Sequence, residues 1–293
     1  MRKSTYLILS KLYFDFNEDI SEITNLKESF KNQNILDLFR FDKITIIKSL
    51  QFKEKNINFI YLPKNIKIIE DEAFYKNQIK ILYLSNCINL KAIGYLSFWD
   101  NQIKQLKLPK NIEIIFDSFE NNQIESLDLS NCINLNIILG WSFESNKIKQ
   151  LKLPQNIEQI NECAFKDNQI KSLNLSNYKK IKYISDSSFS YNQIQQLTLP
   201  INIRKIEKYS FKHNQIEKLD LSIYIKLKKI YKHAFSENPL NEIKILDNVL
   251  LEYDEYFYFL KDPWNTFTKY YNDNEKKAGD YKYIDNKWQW YPL

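Results

Sequence analysis

Residues 98–109 read FWDNQIKQLKLP and residues 119–130 read FENNQIESLDLS, and the pattern the two stretches share decides the fold. Each writes a Phe, two variable residues and an Asn, followed by Ile-x-x-Leu-x-Leu. The Phe-x-x-Asn opening occurs eight times: Phe74/Asn77, Phe98/Asn101, Phe119/Asn122, Phe143/Asn146, Phe165/Asn168, Phe189/Asn192, Phe211/Asn214 and Phe235/Asn238. Successive copies start 24, 21, 24, 22, 24, 22 and 24 residues apart. A unit that short cannot bury a hydrophobic face alone, so the copies must stack into a solenoid.

The second half of the pattern returns at Ile148, Leu151 and Leu153 and at Ile170, Leu173 and Leu175. Two Leu separated by one residue point to the same side of a strand, because side chains alternate with period 2. Stacked coils therefore form a parallel sheet with an aliphatic inner face, in which Leu106, Leu127 and Leu151 fall in line. Eight positions after the leading Ile the copies divide into two kinds. One has Asn (Asn65, Asn111, Asn156, Asn202) after Leu-Pro, and its amide is expected to bond the backbone of adjacent turns at a corner. The other has Cys87, Cys132, Tyr178 or Tyr224 after Leu-Ser, a hydrophobe in the same slot.

With these residues in place the sequence resembles the leucine-rich repeat family, whose LxxLxLxxN or LxxLxLxxC pattern is met at Ile103–Asn111 and Ile124–Cys132. It is most similar to the BspA-like bacterial repeats, through Leu153, Pro154, Ile157, Ile160, Ala164 and Phe165. Lys276, Lys277, Ala278, Gly279, Tyr281, Tyr283 and Trp288 are similar to the closing segment of many such proteins. Those repeats usually carry Cys three residues after the Phe, where this chain has Asn throughout. The resemblance implies an interaction scaffold, frequently displayed at a cell surface as an adhesin or host-contact protein.

The fold expected is an α/β solenoid. A leucine-rich repeat array carries a parallel sheet on one face, short strands, turns or helical turns on the other, and irregular N- and C-terminal caps. Residues 1–50 read as an N-terminal cap with a degenerate repeat, 51–249 as the solenoid, and 250–293 as an aromatic C-terminal cap, helix then hairpin. Within the caps, Tyr6, Ile8 and Leu12–Phe16 look strand-like, Ile20–Phe30 helical and Tyr253–Tyr271 helical. Tyr281–Trp290 reads as a hairpin turning at Asp285 and Asn286. Trp264, Trp288 and Trp290 are expected either in the cap core or as a self-association surface.

Composition narrows the function classes. Charged residues make up 27% and apolar runs are short, so no segment spans a bilayer as a helix. Arg2 and Lys3 could open a secretory leader, but Lys11 and Asp15 interrupt the apolar stretch; the chain reads as cytoplasmic, with the cell surface as the alternative the resemblance implies. Three glycines exclude a phosphate-cradling loop. The three cysteines lack metal-ligand spacing, and Cys87 and Cys132, two coils apart, stand about 10 Å from each other on a strand spacing of about 4.8 Å, so no disulfide joins them. His213 and His233 replace ordinary polar repeat residues and are expected on the surface. Neither catalysis nor a cofactor nor a metal is called for, and the chain reads as a monomer with a protein partner.

What remains is the outer face of the sheet. The residue between the two strand leucines is Tyr61, Tyr83, Lys107, Asp128 and Lys152 in successive coils, and the residue after the leading Ile is Lys80, Lys104, Glu125, Lys149 and Lys171. Two readings stand. In one, alternating charges on neighbouring coils only relieve repulsion, each exposed pair contributing about 0–1 kcal/mol. In the other, the lysines form a basic-leaning patch for an acidic or polar partner, with Tyr61 and Tyr83 as aromatic anchors. The net charge of +6 also admits a polyanion or nucleic-acid binder, against which Glu125 and Asp128 interrupt the patch.

Overall fold

The computed structural model describes residues 14–19, 21–27, 34–254 and 262–293. They fall into two compact units, Met1–Leu135 with Asn146–Pro154, and Asn136–Ser145 with Gln155–Leu293. Each unit is a stack of coils built from parallel strands.

In the first unit, the strands that carry the Leu-x-Leu pattern pair as Ile35–Asp37 with Phe59–Tyr61, Ile81–Tyr83 with Gln105–Lys107, and Ser126–Asp128 with Gln150–Lys152. The register sets Leu82 opposite Leu106 and Leu127 opposite Leu151, as period-2 alternation requires. On the other side of each coil, two-residue strands Ile46–Ile47, Ile68–Ile69, Ala92–Ile93 and Ile114–Ile115 form a four-stranded parallel sheet. No helix occurs within the described coils; the second side uses the short-strand alternative.

Wherever two described coils pair on the Leu-x-Leu side from Ile81 to Thr198, a Leu-Ser coil is followed by a Leu-Pro coil, and the ladder stops there. Leu84 and Leu129 donate to Lys107 and Lys152 carbonyls at 2.8 Å, extending each pair. Pro109 and Pro154 follow at the end of the partner strand, with no N–H to carry the ladder on. In the second unit the same break after Leu199 is met by Tyr224, whose hydroxyl accepts the Leu199 N–H at 2.9 Å.

The interior holds two ladders. Phe52, Phe74, Phe98 and Phe119 stack with centroids 5.4, 5.1 and 5.4 Å apart and near-parallel rings, an offset arrangement that adds about 0.5–1.5 kcal/mol per pair beyond area burial. Beside them runs the Asn of each Phe-x-x-Asn. Asn101 Nδ2 donates to Phe74 O at 2.9 Å and Phe98 O at 3.2 Å, while its Oδ1 accepts the Ile79 N–H at 3.1 Å. Asn77 and Asn122 repeat this arrangement. These amides are at most 7% exposed. The corner asparagines bond as expected, Asn65 to Asp42 O at 2.8 Å and Asn111 to Ile88 O at 2.9 Å, but they are half-buried; the deep amides are those of the Phe-x-x-Asn copies.

The N-terminal end differs from expectation. Ile23–Leu26 is a strand, not helix, paired antiparallel with Phe14–Phe16 across a turn at Asn17–Asp19, which buries Phe14 and Ile23. Tyr6, Ile8, Leu12 and Phe30 lie outside the described residues.

The second unit repeats both ladders. Phe143, Phe165, Phe189, Phe211 and Phe235 stack at 5.2–5.8 Å, and Trp264 closes the column 4.9 Å from Phe235. Asn192, Asn214 and Asn238 hold the backbone as in the first unit. The closing helix runs Pro263–Asp273, capped by Asp262, whose side chain accepts the Asn265 N–H at 3.0 Å; residues 255–261, inside the expected helix, are not described. Strand Gly279–Ile284 pairs antiparallel with Glu242–Ile245 and with Lys287–Tyr291, turning at Asp285 and Asn286, both at positive φ as a type I′ hairpin needs. Trp264, Phe267, Tyr271, Tyr281 and Trp288 fill the cap core, whereas Trp290 is 38% exposed and lies across Gly279, where a Cβ would run into its indole.

Candidate interaction face

In a three-residue strand whose central residue points inward, the two flanking residues face out. In the first unit the leading outward row is Ile35, Phe59, Ile81, Gln105, Ser126 and Gln150, and the trailing row is Asp37, Tyr61, Tyr83, Lys107, Asp128 and Lys152. The first three coils therefore expose large apolar side chains, with Ile35 and Tyr61 both 54% exposed, and the next three expose polar ones.

Phe39, Phe59, Tyr61, Ile81, Tyr83 and Asn86 line a groove of about 420 Å³. A second hollow of about 610 Å³ shares Phe39 and Asn86 and adds Arg40, Asp42, Lys64 and Ile88. Phe39 is 56% exposed and is held by its N–H, which donates to Asp37 Oδ1 at 3.0 Å. Tyr83 is held twice, by its hydroxyl on Gln105 Oε1 and by the Lys107 ammonium 5.1 Å from the ring centre.

The lysines divide into two sets. Lys149 pairs with Glu125 at 3.4 Å and Lys152 with Asp128 at 3.1 Å, so these four form the self-neutralising ladder of the plainer reading. Asp128 is also committed to its own turn: Ser130 donates from Oγ at 2.6 Å and from N at 3.0 Å, and these bonds, with Lys152, hold the carboxyl below its ordinary pKa. Lys80 and Lys104 are exposed on consecutive coils and make no ion pair among the described residues. Lys171 lies in the second unit, whose outward rows run Ser172, Gln196, Lys218 and Asn174, Thr198, Asp220.

Tyr61 and Tyr83 thus stand together in one groove; Phe39, Phe59 and Ile81, which line it with them, and Arg40 of the adjoining hollow were not singled out from the sequence. The signal was present: the residue before the central strand position is Ile or Phe in the first three coils and Gln or Ser in the five that follow.

Most groups with reactive potential are buried, Cys163 being half-buried. Cys87 and Cys132 are free, 2% exposed, and burial pushes their thiols up to about 11. His213 is exposed, but His233 is only 5% exposed, contrary to expectation, with Asp254 against its ring. It stacks on Tyr209 at 5.3 Å, with Ser236 Oγ 3.2 Å from Nδ1 and Asp254 Oδ2 3.5 Å from Nε2. That order of Ser, His and acid has the elements of a hydrolytic triad. Ser236, however, is 3% exposed and bonded to Asn265, so no substrate reaches its hydroxyl. Burial pushes the His233 pKa down. Among the described residues no cluster of His, Cys, Asp and Glu could hold a metal ion, and no helix is long and apolar enough to cross a membrane.

A family model described as BspA type leucine-rich repeat region matches in six copies, over residues 22–146 and 136–261. The chain belongs to that family. Its fold is similar to that of a leucine-rich repeat protein from Bacteroides ovatus, at 17% identity and TM-score 0.50, covering 81% of this chain and 76% of that one. The pneumococcal vaccine antigen PcpA aligns at 18% identity and TM-score 0.48, over 73% of this chain and 62% of its own. The functional domain of InlJ from Listeria monocytogenes aligns at 14% identity and TM-score 0.45, over 73% and 48%. The chain thus spans less than two thirds of the length of the latter two. No curated protein matches the sequence. A BspA-type array is typically a non-catalytic scaffold.

Proposed function

We propose that this BspA-type array is a non-catalytic scaffold that binds a protein partner on the outer sheet face of its first unit. The observation that carries the reading is the change of the outward rows from polar to aromatic and aliphatic over three consecutive coils, at a groove. Exposed apolar patches of this kind mark recognition surfaces, and rigid aromatic side chains dominate binding energy at low entropic cost. Tyr61 and Tyr83 are the anchors, and Lys80, Lys104 and Lys107 flank them. Glu125, Asp128, Lys149 and Lys152 form a rim that is already neutralised, and Lys171 a more distant contact. In this reading residues 1–50 and 250–293 serve as caps to the array and the chain works as a monomer.

The test is affinity capture with mass spectrometry, using the wild-type chain, a Phe59→Ser/Tyr61→Ser variant and an Asn174→Ser/Thr198→Ser variant as a control on the second unit. A protein retained by the wild type and the control but lost from the first variant supports the reading. A partner lost only from the control moves the site off this face.

A further inference from the structure

The charges around the groove carry the reading one step further, to the chemistry of the partner, and this step rests on the face proposed above. Lys64 lines the larger hollow, and Lys80 directly precedes Ile81 in the groove wall. Lys104 follows one coil on, its N–H bonded to Lys80 O at 2.9 Å. Among the described residues none of the three lysines has a carboxylate partner, whereas two coils further on Lys149 and Lys152 each have one.

Equivalent positions on adjacent coils lie about 4.8 Å apart, so Lys80 and Lys104 repel each other where Glu125 and Lys149 attract. The array thus carries its own counter-ions along the polar coils and leaves them out beside the apolar groove. Asp42 is the carboxylate lining the larger hollow; Asp37 is taken up by the Phe39 turn.

We propose that the groove between Phe39, Tyr61 and Tyr83 takes an aromatic or large aliphatic side chain from an acidic peptide segment, whose carboxylates pair with Lys64, Lys80 and Lys104. The apolar walls exclude water from the inserted side chain, and the cations supply steering and register. A polyanion such as nucleic acid would use the lysines and leave the apolar walls without a function.

The experiment pans a phage-displayed library of random dodecapeptides on the full chain, then measures synthetic copies of the enriched peptides by fluorescence anisotropy at low and high salt. The result expected is enrichment of net-negative peptides carrying Phe, Trp or Leu. Their affinity should fall about tenfold or more with Tyr61→Ser and with Lys80→Glu/Lys104→Glu, fall with salt, and hold with Asn174→Ser. Matching urea unfolding curves establish that the variants fold. Enriched peptides that are neutral or basic yet still need Tyr61 overturn the acidic chemistry and leave the interaction face standing. Peptides indifferent to both variants, or no enrichment at all, overturn both. Acidic peptides that need the lysines but not Tyr61 overturn the groove as the receiving element.

Discussion

The two units are built on the same kind of interior and differ in what they show to solvent. Both run a Phe stack beside an Asn ladder, and both place aliphatic residues at the centre of each strand. Outside, the first unit presents Phe59, Tyr61, Ile81 and Tyr83, while the corresponding positions of the second are Ser172, Asn174, Gln196 and Thr198. The positions that make the coil and the positions that face outward are different residues of the same short strand. The exterior can therefore change from coil to coil at almost no cost to the stack.

The hardest blow to that comparison would come from the Phe column. Phe98→Ala and Phe189→Ala each create a cavity in the stack and should lower stability by about 3–5 kcal/mol, measured by urea unfolding. A loss near zero at either position would mean the two interiors are not of the same kind. Next come the amides: Asn101→Ala and Asn192→Ala orphan buried backbone groups that each cost about 1–3 kcal/mol, for a combined loss of about 2–4 kcal/mol.

A difference between the units, not a likeness, is expected with pH. Both histidines of the chain lie in the second unit, and burial holds His233 below its ordinary value of 6.5. Between the folded and unfolded values the unfolded chain binds more protons. The contribution is therefore complete above about 6.5 and is lost as pH falls toward the folded value. Burial raises Glu207 and Asp262, which acts in the opposite sense at lower pH. Hydrogen exchange should show protection around Tyr209 and Ala234 falling between neutral and mildly acidic pH, with no parallel change around Phe98. His233→Gln should flatten the response; an unchanged slope would sink the assignment. Smallest of all, Lys152→Ala should cost about 0–1 kcal/mol, and Tyr61→Ser should leave stability within about 0.5 kcal/mol.

The fold was legible because Phe-x-x-Asn and Ile-x-x-Leu-x-Leu recur in register, so each copy corroborates the next. Tyr61 and Tyr83 were legible for the same reason: they sit in a row whose outward direction the pattern dictates. Phe39 and Arg40 were not, since they follow Ile35–Asp37, a coil without the Phe-x-x-Asn signature. The strand at Ile23–Leu26 was misread because its apolar spacing suits a helix, and only pairing with Phe14–Phe16 decides otherwise. His233 looked solvated because its neighbour Asp254 lies one coil on, past the last Phe-x-x-Asn copy, where the repeat pattern no longer foretells the packing. The Asn ladder was visible as a departure from the family, yet its role needed the neighbouring carbonyls to be seen.

The alternation of Leu-Ser and Leu-Pro coils sets a unit of growth. A ladder that halts after each Leu-Pro coil makes the doublet, 46 residues from Phe165 to Phe211, the smallest piece that begins and ends on equivalent seams. Lengthening or trimming by doublets preserves every junction type, whereas adding or removing a single coil brings two like coils against each other. Chains of this design should accordingly vary in length by even numbers of coils.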